Sequence, residues 1–311
     1  MSDQELDPDT TLEHSAELDP CAGPDPGAEP DPGAEIDANA PPGVDLTVPS
    51  AARVYDWYLG GEHHWEVDRE FGEKAVQLWP QIRLVARHNR RWLGRVVRNA
   101  LDSGIHQFLD LGSGLPTAGN IHDVVLEHDP ECPARVAYAD FEPVALAHSR
   151  EILAERRLTG WCGVVEADMR RAREVLTHPE VHRLLDLSRP VCVLMVAVLH
   201  FVGDEAPDVL AEYRDQLAPG SWVALSHVTN ENASPADQES VERVRASYQN
   251  TANPLWVRER WEIESWFPAG SLFEPGIVAL PDWRPDTESS TEDEYVRPFA
   301  WCGAGEVPAA R

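Results

Sequence analysis

The chain has 311 residues, of which 54 are acidic and 26 are basic, so its net charge is −28. This balance opposes nucleic acid as a partner, because binding to phosphates requires a basic patch. The longest apolar run, VCVLMVAVL at 191–199, is too short to span a bilayer, and the acidic N-terminus lacks the pattern of a signal peptide. We therefore expect a cytoplasmic protein with neither a nucleic-acid nor a membrane partner.

Residues 1–46 are predicted to form a disordered acidic tail. They contain no Lys or Arg, and they repeat PDPGAE at 24–29 and 30–35. With almost nothing apolar to bury, this stretch cannot offset the conformational entropy that folding would cost. The rest of the chain still has 41 acids against 26 bases, so the exclusion of nucleic acid does not depend on the tail.

Residues 47–105 have helical periodicity and are predicted to form an N-terminal helical cap. Ser50 can cap a first helix, AARVYDWYL, which ends at Gly60. A second helix is expected over about 65–79, and a third, which is basic and amphipathic, runs up to Gly104. The cap would lie over the edge of the sheet that the following residues predict.

Beyond residue 106 short apolar runs alternate with helical stretches. This alternation predicts an α/β domain with a mostly parallel sheet and helices on both of its faces. The predicted strands are the runs 107–111, 135–140, 162–168, 191–199 and 222–228, with weaker candidates near 275–280 and 296–302. Residues 170–186 predict a helical stretch, and further helices are expected near 234–250 and 257–267.

The first predicted strand runs into a glycine turn, Gly112-Ser113-Gly114. In such sheets ligands bind at the carboxyl ends of the strands, and two glycines let the backbone turn tightly against a ligand. A dinucleotide fingerprint would need a third glycine, where the chain has Thr117. Pro116 also lacks an N–H that a pyrophosphate would use. The turn alone therefore indicates a nucleotide site without identifying the nucleotide.

Two further acids favour S-adenosylmethionine (SAM) over a dinucleotide. Asp140 ends the second predicted strand, where a carboxylate can accept both hydroxyls of a ribose, as NAD and SAM each require. Asp168 ends the third, where it can accept the adenine amino group while the N–H of Met169 reaches a ring nitrogen. The alternative for either acid alone is an ordinary cap of a strand end.

Five segments, in order, resemble the S-adenosyl methyltransferase family of actinobacteria, long a family of unknown function. They are PSAARVYDWYLGGE, QFLDLGSGLPTAGNIH, PVCVLMVAVLHFVGDE, APGSWVALSHVT and PGIVALPDWRP. The resemblance covers about 47–302 and implies a Rossmann-like class I methyltransferase fold, with a seven-stranded sheet, an antiparallel last strand and SAM at the glycine turn. It implies no substrate. Where the family usually reads Asp-Asn-Asp-Pro, this chain has Asp140-Phe141-Glu142-Pro143, so the ribose acid is kept and its neighbours differ.

The transferred methyl group is expected near the end of the fourth predicted strand, where Ala197 is a candidate contact of the cofactor. His200 follows and is the candidate catalytic residue, because an imidazole titrates near neutrality and can take a hydroxyl proton from an acceptor. Asp204 or Glu205 would orient its ring. The setting VLHFVGDE resembles the stretch in which small-molecule O-methyltransferases carry a catalytic histidine.

The predicted cap supplies two more candidates for cofactor binding. Arg53 could pair with the SAM carboxylate, and Tyr55 could bond to that carboxylate or shield the sulfonium. The alternative is that their helix is amphipathic and simply packs on the core.

No metal site is predicted. The five cysteines are odd in number and lack the spacing of a metal or redox motif, so they are expected to be buried free thiols. His63 and His64 lie in a polar turn without a visible third ligand. His227 ends the fifth predicted strand, and we interpret it as structural.

Together these features predict a SAM-dependent methyltransferase that acts on a small-molecule acceptor, with residues 106–311 as its SAM-binding domain. The alternatives are a non-catalytic SAM-binding sensor and an NAD-dependent oxidoreductase. The sequence specifies neither the acceptor atom nor the oligomeric state. A weak hint of an aromatic or apolar acceptor comes from five aromatic residues: Trp57, Trp65, Trp266, Phe267 and Trp283.

Overall fold

The structure, a computed structural model, describes residues 45–115, 119–131, 133–249, 251 and 253–309. The predicted tail therefore lies outside the described residues, apart from its last two positions. Three helices come first: α1 (Ala51–Leu59), α2 (Glu66–Leu78) and α3 (Ile82–Asp102).

Helix α1 has the predicted bounds, and only its N-terminal cap differs from expectation. It ends where Gly60 adopts a left-handed backbone with φ 86°, a conformation that suits glycine. The side chain of Ser50 caps nothing, and its backbone N–H instead donates to Oδ1 of Asp68 at 3.0 Å. A carboxylate from α2 thus supports the start of α1.

Seven strands form one sheet in the order β3-β2-β1-β4-β5-β7-β6. The first five pair in parallel, whereas β7 is antiparallel to both of its neighbours. This is the class I methyltransferase sheet that the resemblance implied. The strands are β1 (Gln107–Leu111), β2 (Arg135–Asp140), β3 (Cys162–Glu166), β4 (Cys192–Val196), β5 (Trp222–Val228), β6 (Val278–Ala279) and β7 (Ala300–Glu306).

The helices that follow β1 cover the sheet or close its carboxyl edge. The stretch 170–186 is two helices and not one, because Pro179 starts the second and cannot continue the first. These helices are α4 (Ile121–His128), α5 (Pro143–Glu155), α6 (Ala172–Leu176), α7 (Pro179–Leu184), α8 (Ala206–Gln216), α9 (Pro235–Tyr248), α10 (Arg260–Ser265) and α11 (Thr291–Val296).

Strand β4 is shorter than the apolar run that predicted it. The chain leaves the strand at Ala197, which has φ 54°, and enters a 3₁₀ turn over Leu199–Phe201. Leu199 in that turn is fully buried, so the run stays apolar although the strand has ended. His200 therefore lies on a turn above the edge of the sheet.

Alternate residues of the strands face two separate apolar layers, as a pleated strand requires. Leu109 packs in the layer that contains α8, whereas Phe108 packs in the layer that contains α3 and α4. A third apolar cluster joins α1, α2 and α9 above the end of β5. The described residues from 45 onward form one compact unit; the division of the chain at residue 105 stays a prediction.

Among the described helices, none combines the length and the apolar composition that crossing a bilayer requires. The cytoplasmic location stays a prediction.

Candidate active site

A cavity of about 1050 Å³ lies at the carboxyl ends of β1, β2, β4 and β5 and is covered by α1, α3 and α9. All ten residues predicted for the site line it. They are Arg53, Tyr55, Gly112, Ser113, Gly114, Asp140, Asp168, Met169, Ala197 and His200. The sequence therefore located the cavity, while the contacts below differ from several of the predicted roles.

The glycine turn brings bare backbone to the cavity wall. Gly112 and Gly114 have φ of 64° and 60°, in the left-handed region that favours glycine. A Cβ atom on Gly112 would lie 2.3 Å from Cγ2 of Val198. Gly112 is therefore required both by its conformation and by the space around it. Pro116 and Thr117, which argued against a dinucleotide, lie outside the described residues.

Asp140 holds the glycine turn against the end of β2. Its Oδ2 accepts the N–H of Gly114 at 2.8 Å, and its Oδ1 accepts those of Phe141 and Glu142 at 2.8 and 2.9 Å. Burial raises the pKa of Asp140, and these backbone hydrogen bonds oppose the rise. A carboxylate offers about four acceptor positions, and three are in use, so one remains for a ribose hydroxyl. The sequence analysis expected Asp140 to accept both hydroxyls of the ribose.

Asp168 lies on the loop beyond β3 and is paired with Arg170. The Nε of Arg170 donates to both carboxylate oxygens at 3.0 Å. Although burial opposes the change, hydrogen bonds from Arg170 lower the pKa of Asp168. An adenine amino group would share this carboxylate with Arg170. Met169 is buried, and its C=O accepts the hydroxyl of Tyr213 at 2.9 Å.

Arg53 is engaged by the protein itself. Its Nε donates to Oδ2 of Asp68 at 2.8 Å, and one terminal nitrogen donates to Oε1 of Glu142 at 3.2 Å. The other terminal nitrogen donates to the C=O of Val48 at 2.7 Å. Arg53 therefore ties α1 and α2 to the turn after β2, and a SAM carboxylate would have to compete with two carboxylates already present.

Tyr55 belongs to a chain of hydrogen bonds that reaches the end of β4. The N–H of Ala197 donates to Oγ of Ser226 at 2.9 Å, and that hydroxyl donates to Oδ1 of Asn89 at 2.6 Å. Nδ2 of Asn89 donates to the Tyr55 hydroxyl at 2.9 Å, which donates to the C=O of Ala86 at 3.2 Å. The chain fixes the left-handed peptide at Ala197.

The sequence interpretation missed Asn89 and Ser226. Asn89 is a buried polar residue on the inner face of α3, and Ser226 is a buried polar residue within β5. Buried polar groups are nearly always hydrogen-bonded, so a polar residue at an apolar position was the signal that could have found them.

Arg90 was also missed, and it is the cavity-lining cation that is least engaged by the protein. Its guanidinium lies 5.4 Å from the ring centroid of Tyr55, and one terminal nitrogen donates to Oδ1 of Asn120 at 3.3 Å. Its buried Nε–H has no partner among the described residues. Nearby, burial raises the pKa of Asp110 to about 7, with Arg90 opposing the rise and Asp140 adding to it.

His200 is nine-tenths buried, and its Nδ1 has no hydrogen-bond partner among the described residues. Burial, helped by the charge of Arg258, lowers the pKa of His200 to about 3. No hydrogen bond joins the described His200 ring to Asp204 or Glu205, so neither acid orients it as expected. The imidazole is neutral over the physiological range.

Arg258 holds the turn that carries His200. It donates to the C=O groups of Leu199, Val202 and Gly203. It also donates to Nε2 of His227 at 3.0 Å, while Nδ1 of His227 donates to the C=O of Val228 at 2.8 Å. Both nitrogens of His227 are therefore satisfied within the protein. Burial lowers the pKa of His227 well below its usual range.

The aromatic residues that hinted at an acceptor do not line the cavity. Trp283 is fully buried against Trp92, at 6.3 Å between ring centroids, and Trp266 and Phe267 belong to the apolar layer on the α8 face of the sheet. The cavity has a different set of aromatic residues: Tyr55, Tyr58, Trp79, Phe141, Phe201, Tyr248 and Trp256.

No group of three or more potential metal ligands occurs within the described parts of the chain. The ring of His63 packs on that of His148 at 4.0 Å. Cys162, Cys192 and Cys302 are buried free thiols; Cys21 and Cys132 lie outside the described residues.

The residues at this edge of the sheet fit SAM. The glycine turn has no side chain that would block an approaching nucleoside, and Asp140 keeps an acceptor position for a ribose hydroxyl. The guanidinium of Arg90, which lines the cavity, suits the carboxylate of the amino-acid portion of SAM. The donor set thus matches a ligand that combines a nucleoside with an amino acid.

Comparisons with known proteins support the same identification. The model of the S-adenosyl methyltransferase family matches residues 37–308. A protein from Thermobifida fusca YX, described as a candidate methyltransferase, is 36% identical; the match covers 88% of this chain and 100% of that one, with a TM-score of 0.78. A DUF574 family protein from Streptomyces avermitilis MA-4680 is 34% identical; the match covers 85% of this chain and 99% of that one, with a TM-score of 0.76. Comparison with curated proteins finds no match. The chain belongs to the S-adenosyl methyltransferase family and is a SAM-dependent methyltransferase.

Proposed function

We propose that the protein transfers the methyl group of SAM to a small organic molecule bound in the same cavity. The observation that carries the proposal is the size of the cavity, about 1050 Å³. Pockets that hold one small ligand measure about 300–1,000 Å³, so two ligands whose pockets are each in the lower half of that range could share this cavity. The helices over the cavity and the net charge of −28 oppose a nucleic-acid acceptor.

One end of the cavity would hold the cofactor. Gly112 and Gly114 present bare backbone, Asp140 accepts a ribose hydroxyl and Arg90 pairs with the carboxylate. Asp168 and Met169 remain candidates for the adenine. Arg53 acts indirectly in this proposal, because its ion pairs hold the cap against the turn after β2. When bound, SAM would supply a methyl group on a positively charged sulfur: a bond would form from the acceptor lone pair to the methyl carbon as the C–S bond breaks, and the sulfur would leave as a neutral thioether.

The turn at the end of β4 would position the acceptor. Ala197 is fixed by the hydrogen-bond chain through Ser226, and His200 lies three residues further along. An imidazole with a pKa of about 3 takes up a proton poorly at neutral pH, where an efficient base has a pKa near the working pH. We therefore assign to His200 the orientation of the acceptor by a hydrogen bond, and not its complete deprotonation.

The test uses methyl-labelled SAM, the purified protein and an actinobacterial extract separated into small molecules, proteins and nucleic acids. Protein-dependent label in the small-molecule fraction supports the proposal. Label in a macromolecule contradicts it. Tight binding of SAM without labelling of any fraction identifies a sensor instead.

A matched pair of variants controls this experiment. Gly112→Val places a side chain where Val198 already lies and should abolish both SAM binding and labelling. Gly160→Ala, at a glycine with open space around it, should change neither.

A further inference from the structure

The cavity has an apolar end beside the turn that carries His200, where the rings of His200 and Phe201 lie 4.4 Å apart between centroids. We define this end by six of its lining residues, all of which pack in the third apolar cluster. They are Tyr58, Trp79, Phe201, Val244, Tyr248 and Leu255. None of them is charged, so an ionised acceptor placed here would leave water without gaining a counter-charge.

Two acidic residues that follow the His200 turn oppose the binding of an anion in this cavity. Asp204 and Glu205 follow the His200 turn and line the cavity. Their negative charges act on the buried guanidinium of Arg258, which itself donates to three backbone carbonyls and to His227. Arg258 therefore has partners already and is not a free cation for an acidic acceptor.

Aromatic rings form much of the wall. Phe201 and Tyr248 lie 5.8 Å apart between ring centroids, at an interplanar angle of 38°. Phe71 supports Tyr248 edge-on at 4.9 Å, so the position of the tyrosine ring is fixed. Aromatic side chains pair with other rings in offset or edge-to-face arrangements, so this wall favours an aromatic ligand.

A single buried nitrogen on the turn lacks a partner. Nδ1 of His200 is unpaired among the described residues, whereas both nitrogens of the neighbouring His227 are hydrogen-bonded. Nδ1 is closed off from the cavity, whereas the His200 ring lines it, so a ligand hydroxyl would meet the ring at its other nitrogen, Nε2. Because His200 is neutral, the hydroxyl can act as the donor.

We propose that the acceptor is a neutral aromatic molecule with a hydroxyl group, whose ring occupies the apolar end and whose hydroxyl donates to Nε2 of His200. This inference rests on the proposed function, since it concerns the acceptor of the same reaction. The sequence suggested an aromatic acceptor from five other aromatic residues, whereas this inference depends on the rings of Phe201 and Tyr248.

The experiment measures binding by calorimetry in the presence of S-adenosylhomocysteine (SAH), the demethylated form of SAM, with four naphthalene probes. They are 1-naphthol, its methyl ether 1-methoxynaphthalene, the anion 1-naphthoate and the cation 1-naphthylmethylammonium. We expect 1-naphthol to bind roughly 3- to 10-fold more tightly than its ether, as one net hydrogen bond implies. It should also bind at least about tenfold more tightly than either ion, because both ions must be desolvated.

Three variants assign the contacts. His200→Phe should bring the affinities of 1-naphthol and its ether together while SAH binding is unchanged. Phe201→Ala removes an aromatic side chain from the apolar end and should weaken all four probes. Trp261→Ala, at an exposed tryptophan outside the cavity, should leave them unchanged.

The inference is overturned if SAH binds but 1-naphthol does not, if either ion binds as tightly as 1-naphthol, or if His200→Phe keeps the preference for 1-naphthol over its ether. Failure of SAH itself to bind contradicts the proposed function instead, so the two failures are distinguishable.

Discussion

The hydroxyl of Ser226 on β5 donates to Oδ1 of Asn89 on α3 at 2.6 Å, and this contact links the cap helices to the end of β4. The same hydroxyl accepts the N–H of Ala197 at 2.9 Å. Ala197 has φ 54°, a conformation that costs an L-residue about 1–2 kcal/mol. A peptide held in this conformation needs fixed partners, and Ser226 supplies one.

Ser226→Ala should therefore reduce both the stability and the affinity for SAH. It leaves the Ala197 N–H and the Asn89 oxygen buried and unpaired, which costs about 1–3 kcal/mol. Urea unfolding measures the first effect and calorimetry the second. The control is Ser221→Ala at the amino end of β5, where the hydroxyl accepts the N–H of Val191 at 3.1 Å. That variant should lose stability but keep its SAH affinity; equal losses of affinity in both would contradict a positioning role for Ser226.

Asp140→Ala should weaken SAH binding at least tenfold. One hydrogen bond to a charged group contributes about 1.5–3 kcal/mol, and the glycine turn also loses the carboxylate that fixes Gly114. Calorimetry gives the affinity, and circular dichroism shows whether the fold survives. Glu166→Ala, at an exposed strand-end acid, is the control and should bind SAH normally. An unchanged affinity in Asp140→Ala would remove this residue from the cofactor site.

The stability should depend on pH through Asp110. Burial raises the pKa of this carboxyl from 3.8 to about 7, so between these values the folded state holds a proton that the unfolded state has released. The stabilisation from Asp110 is therefore complete below about pH 4 and is lost as the pH rises through about 7.

Asp110→Asn keeps a neutral side chain at every pH and should gain stability over the unmodified protein as the pH rises from 5 to 8. Thermal unfolding across this range measures the gap in stability between the two proteins. The comparison removes the contributions of other titrating groups, which both proteins share. A gap that is constant with pH would show that Asp110 is ionised throughout.

Replacing Arg53 should lower the free energy of unfolding far more than replacing an exposed arginine that forms an ion pair. Arg53→Met leaves the buried Asp68 and the partly buried Glu142 without their cation, and breaking a buried ion pair costs about 3–5 kcal/mol. The control is Arg150→Ala, which breaks an exposed pair with Glu166 that contributes about 0–1 kcal/mol. Urea unfolding of both variants is the measurement, and similar small losses would show that the Arg53 network contributes little.

The sheet was largely predictable because strand ends are marked by changes in polarity. The bounds of β1, β2 and β5 agree with the predicted runs to the residue. The end of β4 was not predictable from polarity, because Val198 and Leu199 remain apolar in a turn that packs in the core. Only the backbone conformation of Ala197 separates strand from turn there.

The candidate site was predictable where the fold itself fixes the position of a residue. Asp140 ends a strand, so the carboxyl edge of the sheet places it in the cavity. Arg90 is one of six arginines on α3, and the pattern does not show which of them turns toward the cavity. Arg258 comes from a loop far along the chain, and its contacts with the His200 turn exist only in the folded protein.

Strand β7 lies between β5 and β6 although it follows both in the chain. During synthesis β5 therefore has an unpaired edge until residues 300–306 emerge from the ribosome. Roughly 70 residues separate the two strands, which at about 5–20 residues per second corresponds to about 4–14 seconds. An open strand edge is a template for pairing with other chains. The order of the strands thus leaves one edge of β5 open to other chains over this interval.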